Sequence, residues 1–246
     1  MKTRVPTLAA IVLALAAQPP TAETPTPQDP YLCHFAAGPI TVDGKLDEDA
    51  WERAEPITMF YALQPEAPTI LSPTTARLLW DDARLYLSFE CEDEDIWSYS
   101  NETDDELWNG DVVEFFVKPS RERLAYYEFV IAPNTTLFDG RYPSRGAGGY
   151  HRFKGWTSSA KVATVIDGTD GDPTDIDRGY TVEFAVPLAA FSETPKPAAG
   201  TTWTFCVFRY DYSKAYEDPL LLMAMPEAPA WGFHCYENYL PLRFEK

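Results

Sequence analysis

Residues 84–92, Arg-Leu-Tyr-Leu-Ser-Phe-Glu-Cys-Glu, alternate without a break. Leu85, Leu87, Phe89 and Cys91 fall on one side of an extended chain; Tyr86, Ser88, Glu90 and Glu92 fall on the other. A period of two marks a half-buried strand, whereas on a helix the same residues would scatter around the cylinder. Similar runs occupy 39–43, 76–80, 111–118, 125–132, 135–138, 159–166, 179–187, 201–211, 220–225 and 240–244. Asp81-Asp82-Ala83 supplies a polar turn between the second of these runs and residues 84–92. Helix is predicted only over Leu46–Arg53, with Asp47 as N-cap and acids in the first turn, plus one further turn at Leu188–Phe191. Many short strands with almost no helix predict an all-β fold, an antiparallel β-sandwich of two sheets (jelly-roll or immunoglobulin-like) with one short N-terminal helix. The long stretches 60–73, 93–110, 139–157 and 212–219 would then gather at the sandwich ends, where sites are built.

The first 30 residues belong to a different regime. Met1-Lys2-Thr3-Arg4 is basic, Leu8–Ala17 is apolar, and Ala14-Leu15-Ala16 and Pro20-Thr21-Ala22 offer small residues at cleavage-site spacing. That order predicts a secretory signal peptide over 1–22, and hence a secreted or periplasmic protein. The apolar run is well short of the roughly 20 residues a membrane span needs, so no membrane anchor is expected. Residues 23–30, Glu-Thr-Pro-Thr-Pro-Gln-Asp-Pro, read as a Pro-rich linker. Residues 31–246 remain for a single domain, enough chain to bury a sizeable core.

Charge narrows the partners. Asp and Glu number 38 against 20 Lys and Arg, a formal charge of −18, and the signal carries cations but no acid. Nucleic acid repels such a surface. A neutral ligand, or a cation such as calcium, suits it. Cys33, Cys91, Cys206 and Cys235 allow three disulfide pairings in an exported chain. Joining Cys33 to Cys235, near the two ends of the domain, is one arrangement; Cys91 and Cys206 as buried free thiols is another. No Cys-x-x-Cys is present, and His34, His151 and His234 are scattered, so a zinc site is not expected.

Four segments, in order, carry a resemblance. Ile40-Thr41-Val42-Asp43-Gly44-Lys45-Leu46-Asp47-Glu48-Asp49-Ala50-Trp51 resembles the opening of family 9 carbohydrate-binding modules and their exported relatives. Leu78–Leu87 is similar to their second strand pair, Trp108–Val117 to their central strand, and Phe233–Phe244 to their closing segment. The resemblance spans about residues 31–246. It implies a β-sandwich that holds an oligo- or polysaccharide on aromatic rings, frequently with structural calcium, in the service of secreted glycoside hydrolases. Sugar C–H bonds pack on π faces, while rim hydroxyls need charged or amide partners. The resemblance places one aromatic wall at Trp108 and the acid that meets sugar hydroxyls at Glu114. The chain departs from the pattern in three places, one of them the closing segment, whose Pro and Gly fall on Tyr236 and Leu240. The second wall falls on Leu220–Met225, which has no aromatic, leaving Trp231 as its substitute from the adjoining loop. The Arg that meets sugar falls on Val130.

Arg209, beside Tyr210 and Tyr212 at the end of a long strand, is a further candidate, with a plain salt bridge as its rival. Trp51, Trp80 and Trp203 sit on fold-defining strands and motifs and are expected in the core. Trp97 and Trp156 lie in loops and are open to a ligand role. The acids of 90–95, 102–106 and 167–177 could furnish calcium oxygens, although none has EF-hand spacing, and a solvated acidic surface explains each as well. Catalysis is not expected. Carboxylate pairs for a glycoside hydrolase come free with 38 acids. No nucleophile elbow or phosphate loop is present. Met223 and Met225 raise a haem-binding electron-transfer alternative, against ordinary core packing of methionine.

Overall fold

The computed structural model describes residues 29–58, 61–62, 72–145, 147, 149–192, 194–214, 220–223 and 232–246. The predicted signal segment and most of the linker, Met225 and Trp231 lie outside them. Among the described residues the fold is all-β, and no helix is long and apolar enough to cross a membrane.

The strands are β1 (Tyr31–Phe35), β2 (Tyr61–Ala62), β3 (Thr74–Trp80), β4 (Arg84–Glu92), β5 (Val112–Lys118), β6 (Tyr126–Ile131), β7 (Leu137–Tyr142), β8 (Lys161–Asp167), β9 (Gly179–Pro187), β10 (Thr202–Asp211), β11 (Leu220–Met223) and β12 (Leu240–Glu245). Their hydrogen-bonded order is β7-β6-β5-β10-β12-β1-β3-β4-β9-β8, with β11 on the second half of β10 and β2 on β11. One continuous sheet, not two separate ones, therefore runs through the domain. It is not purely antiparallel either: β1 lies parallel to both β12 and β3.

The two arms of this sheet face each other. Phe129 on β6 and Phe184 on β9 are far apart along the strand order, yet their rings are 5.1 Å apart. Between the arms lie Val113, Phe115, Val117 and Ile131 from one side and Leu78, Leu85, Leu87, Phe89 and Val182 from the other, all fully buried. Leu85, Leu87, Phe89 and Cys91 share the core face that their alternation predicts. Truncating one such Phe to Ala would cost about 3–5 kcal/mol. Trp80 and Trp203 are buried in this same core.

The opening motif does a different job from the one its pattern suggests. Residues 39–43 form no strand, because their backbone is committed elsewhere. The Asp43 and Gly44 amides donate to Glu183 Oε2 at 2.8 and 2.9 Å, the Trp51 indole donates to Glu183 Oε1 at 3.1 Å, and the Thr41 amide donates to Glu48 Oε1. Gly44 holds φ +86°, and a Cβ there would lie 2.8 Å from the Thr164 carbonyl carbon. The segment is a lid that seals the outer face of β4 and β9, burying Tyr86, Leu79 and Ala185 under Trp51. The predicted helix is only a 3₁₀ turn, Asp49–Arg53, whose N-cap is Glu48 and not Asp47, with no side-chain cap. The turn predicted near residue 188 is present at Leu188–Ala190.

All four cysteines are buried, and no disulfide joins them. Cys33 points into the core from the middle of β1, while Cys235 Sγ contacts Arg145 Nη1 in the closing turns, so the Cys33–Cys235 bridge does not form.

Candidate functional site

The outer face of β5 carries Val112, Glu114, Phe116 and Lys118. Antiparallel pairing aligns Glu114 with Val130 on β6 and with Phe208 on β10, and Val130 with Phe138 on β7. Directly paired residues share a face. This row therefore runs Phe208–Glu114–Val130–Phe138, on the side away from the core that Val113 and Phe115 enter.

Trp108 stands at one end of the row. It sits in the 3₁₀ turn Leu107–Asn109, and the fully buried Leu107 anchors that turn to Val112, Val130 and Phe138. The Trp108 ring is half-buried and meets Phe138 edge-on at 5.5 Å and Tyr150 at 4.8 Å. Tyr150 OH donates to Glu106, and Tyr212 OH donates to the Trp108 carbonyl at 2.8 Å. Loop and strand together thus fix the ring.

Glu114 stands in the middle, 2 % exposed, with Oε2 unpartnered among the described residues. Glu128 lies diagonally across on β6 and accepts a hydrogen bond from Tyr142 OH. Burial raises both carboxyls. Burial and the neighbouring Glu128 hold Glu114 well above the usual carboxylate range; burial lifts Glu128 to about 7, opposed by the Tyr142 hydroxyl. Both causes favour the neutral form of Glu114, which can both donate to and accept from a hydroxyl.

Aromatic rings crowd the other end. Tyr126 and Tyr142 stack at 5.0 Å, and Tyr126 OH is 2.8 Å from His234 Nδ1. Phe233 stacks on Phe208 at 3.9 Å. The closing segment thus covers part of the face.

The structure treats the remaining candidates differently. Arg209 pairs with Val113, so it points to the core side, opposite Glu114, and is fully buried. Its Nη2 bonds Asp93 Oδ2 at 2.9 Å and the Glu92 carbonyl at 2.8 Å, and its Nη1 bonds Thr74 Oγ1 at 2.9 Å. The salt bridge, not a ligand contact, claims this side chain. Trp231 lies outside the described residues. Trp156 packs on Tyr127 and Phe129. Sequence reasoning missed Glu128, Tyr142 and Tyr150. Only Glu128 left a signal, an acid alternating with Tyr126 and Val130 within a predicted strand.

A second cluster joins Asp93, from the acid-rich stretch 90–95, to two acids that the sequence did not single out. Asp93 follows β4, Asp111 precedes β5 and Asp211 ends β10; antiparallel pairing of β5 with β10 sets Asp111 beside Asp211, and Asp93 meets them from the facing arm of the sheet. The three are buried, with carboxylate oxygens within 4.8 Å of one another. Asp111 accepts the Trp97 amide at 2.6 Å and the Tyr212 amide at 2.7 Å. Ser72 bonds Asp211 Oδ2, while Asp211 Oδ1 has no partner among the described residues. Burial, opposed by Arg209, raises Asp93 to about 6; burial and then Asp93 raise Asp111 to about 8. The Arg209 guanidinium lies 2.9 Å from Asp93 and 3.9 Å from Asp211, and the all-oxygen set of three carboxyls with a spare buried oxygen fits a hard divalent cation such as calcium.

The model of the carbohydrate family 9 binding domain-like family matches residues 42–223. Exoglucanase XynX of Acetivibrio thermocellus is 27% identical over 131 residues, 53% of this chain and 11% of that enzyme. Endo-1,4-beta-xylanase A of Thermoanaerobacterium saccharolyticum is 27% identical over 165 residues, 67% of this chain and 12% of that enzyme. The chain thus spans only about a tenth of these curated relatives. A family 9 carbohydrate-binding module from Caldicellulosiruptor kristjanssonii, solved with cellotriose, superposes with TM-score 0.59 at 17% identity, covering 87% of this chain and 93% of that one. Its glucose complex gives 0.58, also at 17% identity, covering 87% and 95%. A Bacteroides uniformis protein gives 0.63 at 14% identity, covering 88% and 100%. The likeness to these structures is one of fold, and the matched family model covers most of the domain: the chain belongs to the carbohydrate family 9 binding domain-like family.

Proposed function

We propose that this chain is an exported, non-catalytic module that binds a neutral oligosaccharide on the outer face of β5, serving secreted glycoside hydrolases. The carrying observation is the row from Trp108 to Glu114. A half-exposed indole, braced by Phe138 and Tyr150, shares one sheet face with a buried acid whose Oε2 has no partner. The indole suits a pyranose C–H face, and the acid suits a ring hydroxyl. Family membership supports the reading, as do neighbours solved with cellotriose and glucose and relatives that are xylan- and glucan-acting enzymes by name. Trp231 remains the proposed second wall.

Calcium enters the reading at Asp93, Asp111 and Asp211. It would neutralise buried charge and clamp three strand ends, with no part in sugar chemistry. A glycan array of neutral plant oligosaccharides tests the module, with Glu114→Gln as the paired variant. The reading expects wild-type signal on β-linked glucose or xylose chains and a loss in the variant. An array with no neutral-sugar signal refutes it.

A further inference from the structure

Trp97 and Tyr99 are 40% and 48% exposed, the two large aromatic side chains left this open among the described residues. They are held with unusual rigour for surface rings. The Trp97 amide donates to Asp111 Oδ2 at 2.6 Å, and the Asp111 amide donates back to the Trp97 carbonyl at 2.9 Å. Asp111 itself is fully buried. The Ser98 amide donates to Asp170 Oδ1 at 2.7 Å. Gly110 permits the close approach, since a Cβ there would stand 2.6 Å from the Tyr99 nitrogen and 2.9 Å from the Trp97 carbonyl oxygen.

The rings brace one another as well. Trp97 meets Tyr99 at 6.2 Å and 89°, and Tyr212 at 5.9 Å and 71°. Asp111 Oδ1 also takes the Tyr212 amide, and Tyr212 OH reaches the Trp108 carbonyl. One buried aspartate therefore positions an exposed aromatic surface and ties it to the turn that carries Trp108. A rigid exposed ring gives contact area at little ordering cost.

We propose that Trp97, with Tyr99 and Tyr212, is a second carbohydrate-binding surface, continuous with the Trp108 site and engaging a further stretch of a neutral polysaccharide chain. The inference rests on the sugar-binding reading above and extends it from an oligosaccharide end to a polymer. Charge sets the ligand class. Glu94, Glu102, Asp105, Asp170 and Asp172 lie in the loops that carry or brace these rings, and the chain carries a formal −18. Chains of uronic acids would be repelled.

Affinity electrophoresis through hydroxyethylcellulose, neutral arabinoxylan and polygalacturonate, with calorimetry on cellotriose, tests this. The proteins are the wild type, Trp97→Ala, Trp97→Phe and Trp108→Ala, each with a melting curve to show that it is folded. Losing one of two linked sites should weaken binding to a neutral polymer by about 10–100-fold in Trp97→Ala. Its cellotriose affinity should fall far less, because the Trp97 ring contacts Tyr99 and Tyr212 while Trp108 packs on Phe138 and Tyr150. Trp97→Phe should recover most of the polymer binding, and polygalacturonate should not retard any of the proteins. Unchanged polymer binding in Trp97→Ala overturns the proposal. So does an equal loss on cellotriose and polymer, which would make Trp97 part of a single site, and so does retardation by polygalacturonate. If polymer binding depends on Trp97 but not on Trp108, the platform stands and the Trp108 reading falls. If the wild type binds neither cellotriose nor any neutral polymer, both fall.

Discussion

Arg209→Met separates an architectural arginine from a ligand-binding one. The guanidinium is fully buried and joined to Asp93 at 2.9 Å, to the Glu92 carbonyl and to Thr74, with Asp211 3.9 Å away. Methionine fills much of the volume and supplies none of these donors. Asp93 would then be left buried without its guanidinium partner, next to Asp111 and Asp211. Removing one partner of a buried ion pair costs about 3–5 kcal/mol. For a domain of this size that corresponds to a melting temperature lower by about 6–20 °C. Differential scanning calorimetry gives the melting temperature, and titration with cellotriose well below the transition gives binding. The expected result is a large drop in melting temperature with sugar affinity retained in the folded fraction. A melting temperature within about 2 °C of wild type, together with lost sugar binding, would refute the assignment of Arg209 to the core network.

Three further outcomes follow from the geometry. The raised Glu128 carboxyl, at about 7 beside the likewise raised Glu114, favours the protonated folded state. Its stabilising effect is complete below the ordinary glutamate range and disappears as pH rises through about 7, so melting temperature should fall between about pH 5 and 7 and Glu128→Gln should flatten the slope; a wild-type curve that rises over this interval contradicts the pair. Gly44→Ala puts a Cβ 2.8 Å from the Thr164 backbone at φ +86°, and urea denaturation should show a loss of about 1–3 kcal/mol. Chelation by EDTA should lower the melting temperature and added calcium should restore it, a response that Asp211→Asn should blunt; an indifferent melting curve removes calcium from the account.

Much of the architecture could be read from alternation, and the reasons for the failures are local. The strands from Thr74 to Glu92 and from Thr202 to Asp211 carry enough alternating apolar residues to declare themselves. Residues 39–43 alternate equally well, yet Glu183 and Glu48 take amides from this stretch, and carboxylates 140 and 7 residues away leave no local trace. Tyr31–Phe35 is a five-residue strand directly behind a proline-rich stretch, and its role depends on two parallel neighbours distant in sequence. Trp108 and Glu114 were reached through a motif whose spacing the strand start preserves. Sequence left Arg209 open between a ligand contact and a salt bridge, because a one-residue step along β10 exchanges the outer face for the core, and the pairing that fixes this step is with Val113 and not with any sequence neighbour. The Asp93, Asp111 and Asp211 cluster unites three strand ends, two joined by the β5–β10 pairing and the third brought in by the facing arm of the sheet, so sequence neighbours leave no trace of it.

Sugar recognition through Trp108 is the central claim, and calorimetric titration of cellotriose into wild type and Trp108→Ala, with matched melting curves, tests it most directly. Saturable binding by wild type and a loss of at least about tenfold in the variant, near 1.4 kcal/mol, is the predicted result. Equal affinity in the two folded proteins would contradict it.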